Sequence, residues 1–292
     1  MNKNSTYKIN PKSPLGDLGV ISSPKNPLIK EIVLLQSKSK ERKQRNTIVI
    51  EGTKEISVAV SAGVVFTKVL FCADIISADE VKQIIGKQAE NAEIIEISSA
   101  VFSKISYRET TGGMVVLAEM PKKNLTDLQV NGQSVFIVLE AVEKPGNLGA
   151  ICRVADGAQV SGVIICDPHT DIYNPNAVRS SLGCVFSVDV VNSTFEETMA
   201  WLKENQITSY AAELTASELY HTLDLRGKIA LVFGTEAAGL TEKWIKNADK
   251  RIKIPMGGII DSLNVNTSAA ILTFEAMRQR GFKKQKIWKT KI

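Results

Sequence analysis

Three short segments in the second half of the 292-residue chain are wholly apolar. They read VFIVL within Val135–Glu140, GVIIC at Gly162–Cys166 and IALVF at Ile229–Phe233. Strands of this kind, without polar alternation, are typical of a parallel sheet that helices cover on both faces. The segments between them have helical spacing, so this half of the chain predicts an α/β domain built on a parallel sheet.

The remaining segments of this half alternate between strand and helix patterns. Further strands are expected at residues 185–191, 209–212 and 251–254, and helices at 149–158, 176–182, 195–205, 241–247 and 266–280. Ligands of open parallel sheets bind beyond the carboxyl ends of the strands. The polar residues that follow these strands are therefore the candidate site residues.

The first part of the chain predicts a smaller α/β domain. Residues 1–20 are polar and rich in Lys, Asn, Ser and Pro, which indicates a flexible tail. Helices are then predicted at 26–36, 53–62, 78–92 and 99–105, and strands at 47–51, 68–72, 94–97 and 113–119. The polar segment PKKNLTDLQVNGQ predicts a linker at 121–133. We therefore expect an N-terminal domain at 21–120, a C-terminal domain at 134–285 and a basic tail at 286–292.

The composition is that of a soluble globular protein, with 44% hydrophobic and 23% charged residues. No segment approaches the roughly 20 apolar residues that a membrane helix needs. The N-terminus lacks the apolar core of a secretion signal, so we expect a cytoplasmic protein without membrane association. The four cysteines lie far apart and the chain has only two histidines. Neither a disulfide framework nor a metal site is expected.

Positive charge is concentrated in two places, while the formal net charge is +5. One cluster lies at 38–45, and the other consists of Lys283, Lys284, Lys286, Lys289 and Lys291. Such runs are commonly solvated surface, but they also suit contact with the phosphates of a nucleic acid. Both interpretations remain open from the charge pattern alone.

The polar segment at 254–270, which reads IPMGGIIDSLNVNTSAA, is the most distinctive of three such clusters. It follows a predicted strand, crosses a Gly-Gly pair and enters a long amphipathic helix. The glycines allow close approach of the backbone to a ligand. Ser262 and Asn264 are residue types that cap the free amides at a helix N-terminus. An ordinary strand–turn–helix connection would have the same residues, so the pattern alone does not establish a site.

The first of the three polar clusters in chain order, EKPGNLGAICR at 143–153, follows the VFIVL strand. Its Pro-Gly pair predicts a tight turn. We expect Asn147 to cap a helix that begins near Gly149. Arg153 is long enough to reach the same ligand as Asn147. The alternative is a capped turn with a surface arginine.

The second cluster in chain order, GTEAAG at 234–239, follows the IALVF strand and holds Glu236 at the strand end. It matches neither the G-x-G-x-x-G dinucleotide fingerprint nor a phosphate-binding P-loop.

Among other reactive residues, His169 and His221 lie in separate predicted loops without an adjacent nucleophile. Cys152 lies within an amphipathic helix, which indicates a core residue. No Ser-His-acid set is apparent.

Together, the three clusters resemble the three motifs of the SpoU (TrmH) family of RNA ribose methyltransferases. In this chain they read PGNLGAICR, FGTEAAGL and IPMGGIIDSLNVN, in the order and spacing of that family. The resemblance extends over the chain from about residue 21, because the N-terminal domain is similar to the substrate-binding domain that these enzymes often carry. That domain in turn resembles a small RNA-binding ribosomal protein.

The resemblance implies a fold and a cofactor that the patterns alone do not give. The C-terminal segment is expected to thread a loop and form a deep trefoil knot, a rare exception among protein topologies. S-adenosylmethionine would bind in the knot, held largely by backbone groups. The matching cofactor-binding positions are Gly234, Ile254 and Leu263, with Phe233 and Met256 beside them. The family also implies a homodimer whose active site is completed across the knot interface.

The implied reaction is methyl transfer to a ribose 2′-hydroxyl, without a metal. The matching catalytic positions are Arg153, Asn147, Glu236, Ser262 and Asn264. Arg153 would act either as a base or as an orienting contact to the RNA phosphate that stabilises a developing alkoxide; a guanidinium pKa above about 12 favours the second role. Glu236 would fix Arg153 or nearby backbone, and Asn264 would position Arg153 or the nucleotide.

The sequence departs from the family pattern at two points. The first cluster begins with Glu-Lys-Pro-Gly where many members have Asp or Asn before Pro, and Asn266 stands where Ser is common. Both departures bear on substrate preference. Ribosomal RNA is favoured as substrate because the N-terminal domain resembles that of rRNA-modifying members. The alternatives are a transfer RNA ribose methyltransferase, a non-catalytic RNA-binding protein on the same fold, and a Rossmann-type oxidoreductase, which the missing glycine fingerprint disfavours.

Overall fold

The computed structural model describes residues 19–107, 112–216, 218–235 and 238–282. The chain divides into two compact units between Pro121 and Lys122, at the start of the predicted linker. Of the tail predicted at 1–20, only the last two residues are described. The basic tail at 286–292 and the lysine cluster around it lie outside the described residues.

The first unit contains a four-stranded sheet with helices around it. Its described elements are α1 (Pro27–Ser37), α2 (Ser39–Arg45), β1 (Thr47–Glu51), α3 (Thr53–Ser61), β2 (Phe66–Phe71), α4 (Ala78–Ile85), β3 (Glu93–Glu96), α5 (Ser99–Ile105) and β4 (Met114–Glu119). The strand order is β1-β4-β2-β3. Strand β4 is antiparallel to β1 and β2, and β3 is parallel to β2. The predicted α/β alternation is confirmed.

The apolar spacing of α1 buries Ile29, Ile32 and Leu35 completely, in a cluster with the sheet and α5. One helix is shorter than predicted. We expected it to run to residue 92, but α4 ends at Ile85 because Gly86 has a φ of 52°, and a 3-10 turn follows. Glycine adopts this left-handed conformation without the steric cost that other residues incur.

The basic segment at 38–45 forms α2, and its cations have different roles. Arg42 is buried and donates from Nη1 to the backbone oxygens of Leu35 and Gln36, at 2.5 and 3.3 Å. It therefore caps the end of α1. Arg45 forms ion pairs with carboxylates of α1 and α2. The lysines at 38, 40 and 43 are exposed, so only part of this cluster is available for an anionic partner.

The second unit is built on seven parallel strands. Its described elements are β5 (Val135–Glu140), α6 (Pro145–Ala158), β6 (Gly162–Cys166), α7 (Pro175–Ser180), α8 (Cys184–Ser187), β7 (Val190–Ser193), α9 (Phe195–Glu204), β8 (Thr208–Ala212), β9 (Glu218–Leu219), β10 (Ile229–Phe233), α10 (Glu242–Asn247), β11 (Lys250–Lys253) and α11 (Val265–Gln279). The strand order is β7-β6-β5-β10-β8-β11-β9. Every pair is parallel, which confirms the predicted sheet.

Helices cover both faces of this sheet, as the apolar strands predicted. On one face, Trp201 of α9 and Trp244 of α10 belong to a buried cluster with alternate residues of β5, β6 and β10. Trp201 packs edge-on against Phe136, with 5.0 Å between the ring centroids. On the other face, α11 packs on β5, β10 and α6. Among the described residues, no helix has the length and apolarity that crossing a bilayer demands.

Two predictions for this unit are wrong in detail. The strand expected at 185–191 is instead the short helix α8 followed by β7, because Gly183 in the left-handed region (φ 83°) starts a helical turn. Helix α6 begins at Pro145, four residues before the expected Gly149. Proline is well suited to the first helical position, where its missing N–H is not needed. Asn147 therefore lies within the first turn of α6 and is not its cap.

Candidate active site

A cavity of about 680 Å³ opens at the carboxyl ends of β8, β10 and β11. Its volume lies in the range of small-molecule sites, about 300–1,000 Å³. Most of the residues that the sequence singled out meet there. Those that line the cavity are Phe233, Gly234, Ile254, Met256, Ser262, Leu263 and Asn264. The second and third polar clusters therefore form one site.

Gly234 packs directly against the backbone of the turn that follows β10. A Cβ atom there would lie 2.0 Å from the carbonyl carbon of Gly239 and 2.2 Å from the nitrogen of Leu240. Two backbone hydrogen bonds between Thr235 and Gly239, at 3.0 and 2.9 Å, close the turn. In this wall of the cavity the backbone at Gly234 therefore packs directly against the backbone at Gly239 and Leu240, with no room for a side chain at position 234. Glu236, predicted to act here, lies outside the described residues.

Glu140, the last residue of β5, anchors the far end of this turn. Its buried carboxylate accepts hydrogen bonds from the backbone N–H of Thr241 at 2.8 Å and from the Thr241 hydroxyl at 2.6 Å. Thr241 immediately precedes α10. Glu140 was not singled out from the sequence, although a carboxylate that ends a wholly apolar strand was an available signal.

Replacing Glu140 with alanine should lower the free energy of unfolding by about 2–3 kcal/mol, because hydrogen bonds to a charged group are lost and the Thr241 amide is left unpaired. Urea unfolding measures this loss. The matched control is Glu242→Ala on α10, because the Glu242 side chain is exposed and forms a surface ion pair with Lys246. It should change stability by less than about 1 kcal/mol. Equal stabilities of the two variants would contradict the anchoring role of Glu140.

The start of α11 joins the third cluster to the first. The Asn264 side chain caps α11 by accepting from the backbone N–H of Asn266 at 2.9 Å. The Asn266 side chain donates from Nδ2 to Oδ1 of Asn147 at 3.0 Å. Asn147 lines a small cavity of about 70 Å³, and Gly234 and Val265 line both cavities. The three clusters are therefore contiguous in space.

Arg153 lies elsewhere on α6. It is exposed, and it lines neither of the two cavities. Its charge acts on Cys184, whose pKa burial raises to about 11 while the charge of Arg153 opposes the shift. Within one chain, the guanidinium is not part of the wall formed by the other predicted residues.

Glu213, which follows β8, also lines the large cavity and was not predicted. Its side chain is only 9% exposed, and Oε1 lies 3.4 Å from Nη1 of Arg251. Oε2 accepts a hydrogen bond from the Thr215 hydroxyl at 2.8 Å. No glycine lies beside Glu213 in the sequence, so it does not belong to a cluster of polar residues with glycine. Its place after a predicted strand was the signal that could have identified it.

The other reactive residues have no catalytic arrangement. Cys152 is buried, which raises the pKa of its thiol and disfavours a thiolate nucleophile. His169 is exposed, with Nδ1 3.8 Å from Oε1 of Glu143. Among the described residues, no group of His, Cys, Asp and Glu side chains is arranged to hold a metal ion.

Two family models match the chain, one in each unit. Residues 134–274 match the SpoU rRNA Methylase family. Residues 26–116 match the MRM3-like substrate binding domain. The two matches together extend over most of both units.

Named relatives agree with these matches. The chain is 29% identical over 255 residues to the 23S rRNA (guanosine(2553)-2'-O)-methyltransferase RlmP of Bacillus subtilis, covering 87% of this chain and 97% of the relative. It is 34% identical over 205 residues to the 23S rRNA (guanosine-2'-O-)-methyltransferase RlmB of Pectobacterium atrosepticum, covering 68% and 78%. Its fold matches an AdoMet-bound rRNA methyltransferase from Sinorhizobium meliloti with a TM-score of 0.81 and 29% identity, covering 88% and 97%.

Proposed function

The chain belongs to the SpoU rRNA methylase family, and from that premise we propose that it transfers a methyl group from S-adenosylmethionine to a ribose 2′-hydroxyl of ribosomal RNA. The observation that carries this proposal is the convergence of the three motifs at one edge of the sheet. Two of them line a cavity of cofactor size, and the other adjoins it through Asn147.

The cavity has the features that S-adenosylmethionine requires. Phe233, Ile254 and Leu263 give it an apolar part suited to an adenine ring. The exclusion of any side chain at Gly234 brings peptide groups to the cavity wall, where they can read the edge of the base. The sulfonium of the cofactor supplies an already activated methyl group, so the transfer needs no metal.

The polar residues have distinct proposed roles. Asn147, Ser262 and Asn264 bind and orient the acceptor nucleotide at the boundary of the two cavities. Arg153 contacts the RNA phosphate and stabilises negative charge as the hydroxyl loses its proton, a role better suited to a permanently charged guanidinium than that of a base. Glu236 fixes Arg153 or the backbone beside it.

We propose that the active unit is a homodimer in the cytoplasm. Arg153 is exposed and lies outside the cavities of its own chain, which suits a residue that completes the site of a second copy. We further propose that residues 254–265 thread a loop to form a trefoil knot. This proposal is supported by the way in which residues 233–235, 238–240 and 252–265 contribute to the lining of a single cavity.

The N-terminal unit is proposed to bind the RNA substrate, in keeping with its match to a substrate binding domain. The exposed lysines of the 38–45 segment, Lys38, Lys40 and Lys43, are the candidates for phosphate contacts. Contacts of this kind position a nucleic acid without reading its sequence. They therefore suit a domain that delivers RNA to a separate catalytic site.

Calorimetric titration tests the cofactor. The full-length protein should bind S-adenosylmethionine with a dissociation constant of about 1 μM and should not bind NAD. The apolar walls, the absent glycine fingerprint and the family all favour the first ligand. Absence of S-adenosylmethionine binding, with total RNA present, would contradict the enzymatic proposal and favour a non-catalytic RNA-binding protein.

The RNA substrate is tested with tritiated S-adenosylmethionine and separate pools of ribosomal and transfer RNA. Label should enter ribosomal RNA. Alkaline hydrolysis should then release it in dinucleotides, because a methylated 2′-oxygen cannot attack the adjacent phosphodiester. Label in transfer RNA alone would overturn the choice of substrate while leaving the reaction type intact. Label released by alkali as mononucleotides would contradict the ribose as the methylated group.

A further inference from the structure

The side chain of Asn266 connects α11 with α6, the helices that begin within the third and first polar clusters. From the first turn of α11 it donates to Oδ1 of Asn147, in the first turn of α6, at 3.0 Å. The two residues are 119 positions apart, and the bond is partly buried. Asn147 lines the small cavity, and Val265, the residue before Asn266, lines both cavities.

Stability alone does not account for an asparagine at this position. The backbone N–H of Asn266 is satisfied by Asn264. Its own Oδ1, however, is buried and has no hydrogen-bond partner among the described residues. An unpaired buried acceptor opposes folding, so a smaller side chain at 266 would not carry this penalty.

We propose that Asn266 is a positioning residue, which fixes the orientation of the Asn147 amide for methyl transfer. A carboxamide has an acceptor oxygen on one side and a nitrogen with two N–H donors on the other. Because Asn266 engages the oxygen, the nitrogen on the other branch of the Asn147 carboxamide is not turned toward Asn266. Asn147 thereby presents donors, which can stabilise an oxygen of the acceptor ribose as charge develops on it. This inference rests on the proposed methyl transfer.

The decisive variant is Asn266→Asp, which has the same shape but offers only acceptors when ionised. Asn147 must then rotate its amide to donate to Asp, and its oxygen replaces the N–H donors. We expect kcat to fall at least about tenfold, a barrier increase of about 1.4 kcal/mol. The dissociation constant of S-adenosylhomocysteine should stay within about twofold, since the cofactor cavity is unchanged. Asn266→Ala, which removes this hydrogen bond without offering the Asn147 amide a new acceptor, should have the smaller effect on kcat.

The matched control is Asn174→Asp. Asn174 caps α7 through its side-chain oxygen, and aspartate caps equally well. This control carries the same change of charge in the same unit, and kcat should not change. An equal loss of kcat in both Asp variants would overturn the inference, because net charge would then explain it.

Two further measurements separate positioning from a structural role. The melting temperature of Asn266→Ala should not fall, because the variant removes an unpaired acceptor together with one hydrogen bond. In ¹⁵N spectra of the cofactor-free protein, the side-chain amide of Asn147, assigned by its loss in Asn147→Ser, should shift in Asn266→Asp. An unshifted signal, or wild-type kcat in Asn266→Asp, would overturn the inference. A wild-type protein that binds S-adenosylmethionine but methylates no RNA would instead refute the proposed function.

Discussion

Arg153→Ala should abolish methyl transfer while leaving the affinity for S-adenosylmethionine within a few fold of wild type. Removing one group that stabilises a developing oxyanion typically lowers kcat by about 10²–10³-fold. If the same arginine also orients the RNA phosphate, the loss is larger, because misplacement of the reacting groups adds to it. Cofactor binding is spared, since Arg153 does not line the cofactor cavity.

Incorporation of tritiated methyl groups into ribosomal RNA measures this loss, and titration with S-adenosylhomocysteine measures the affinity. Arg226→Ala is the control, because Arg226 is an exposed arginine of the same unit whose guanidinium pairs with Asp224. Its activity should stay within about twofold of wild type. Full activity of Arg153→Ala would exclude both the base and the orienting role.

The elements with the strongest patterns were predicted to the residue. Two strands of this kind are confirmed at both ends: Ile229–Phe233, which is wholly apolar, and Val135–Glu140, which is apolar up to its last residue. Burial on both faces of a parallel sheet leaves no alternative environment for such segments. The segment at 185–191 reads VFSVDVV and has five apolar residues out of seven, yet its first three residues are helical. A short apolar run suits a buried helix as well as a strand. Here Gly183, whose backbone is in the left-handed region, precedes the helical turn and favours helix over strand.

The candidate site was predictable where glycine and polar residues follow a strand. That rule identified Gly234 and Asn264, which the fold brings to one cavity. It did not identify Glu140, whose function depends on Thr241, 101 positions away. It also gave no partner for Asn266. Pairs of this kind arise from the crossing of distant segments, and a local pattern contains no information about that crossing.

Gly234→Ala should strongly weaken the binding of S-adenosylmethionine without unfolding the sheet. The added methyl group would lie 2.0 Å from the carbonyl carbon and 2.1 Å from the carbonyl oxygen of Gly239. These are backbone atoms that no rotamer change can move, so the turn at 234–240 must shift as a whole. Because that turn forms one wall of the cavity, we expect the affinity to fall at least about a hundredfold, equivalent to about 2.8 kcal/mol.

Calorimetry measures this affinity, and far-ultraviolet circular dichroism verifies that the sheet is intact. Gly132→Ala is the matched control: a Cβ atom there meets nothing within 4 Å, and the residue lies before β5, away from the cavity. Its affinity should equal that of the wild type. Since the two substitutions add the same methyl group, a difference between them reports the packing at Gly234. If Gly234→Ala bound the cofactor normally, the close approach of the two backbone segments would not be what shapes the cavity.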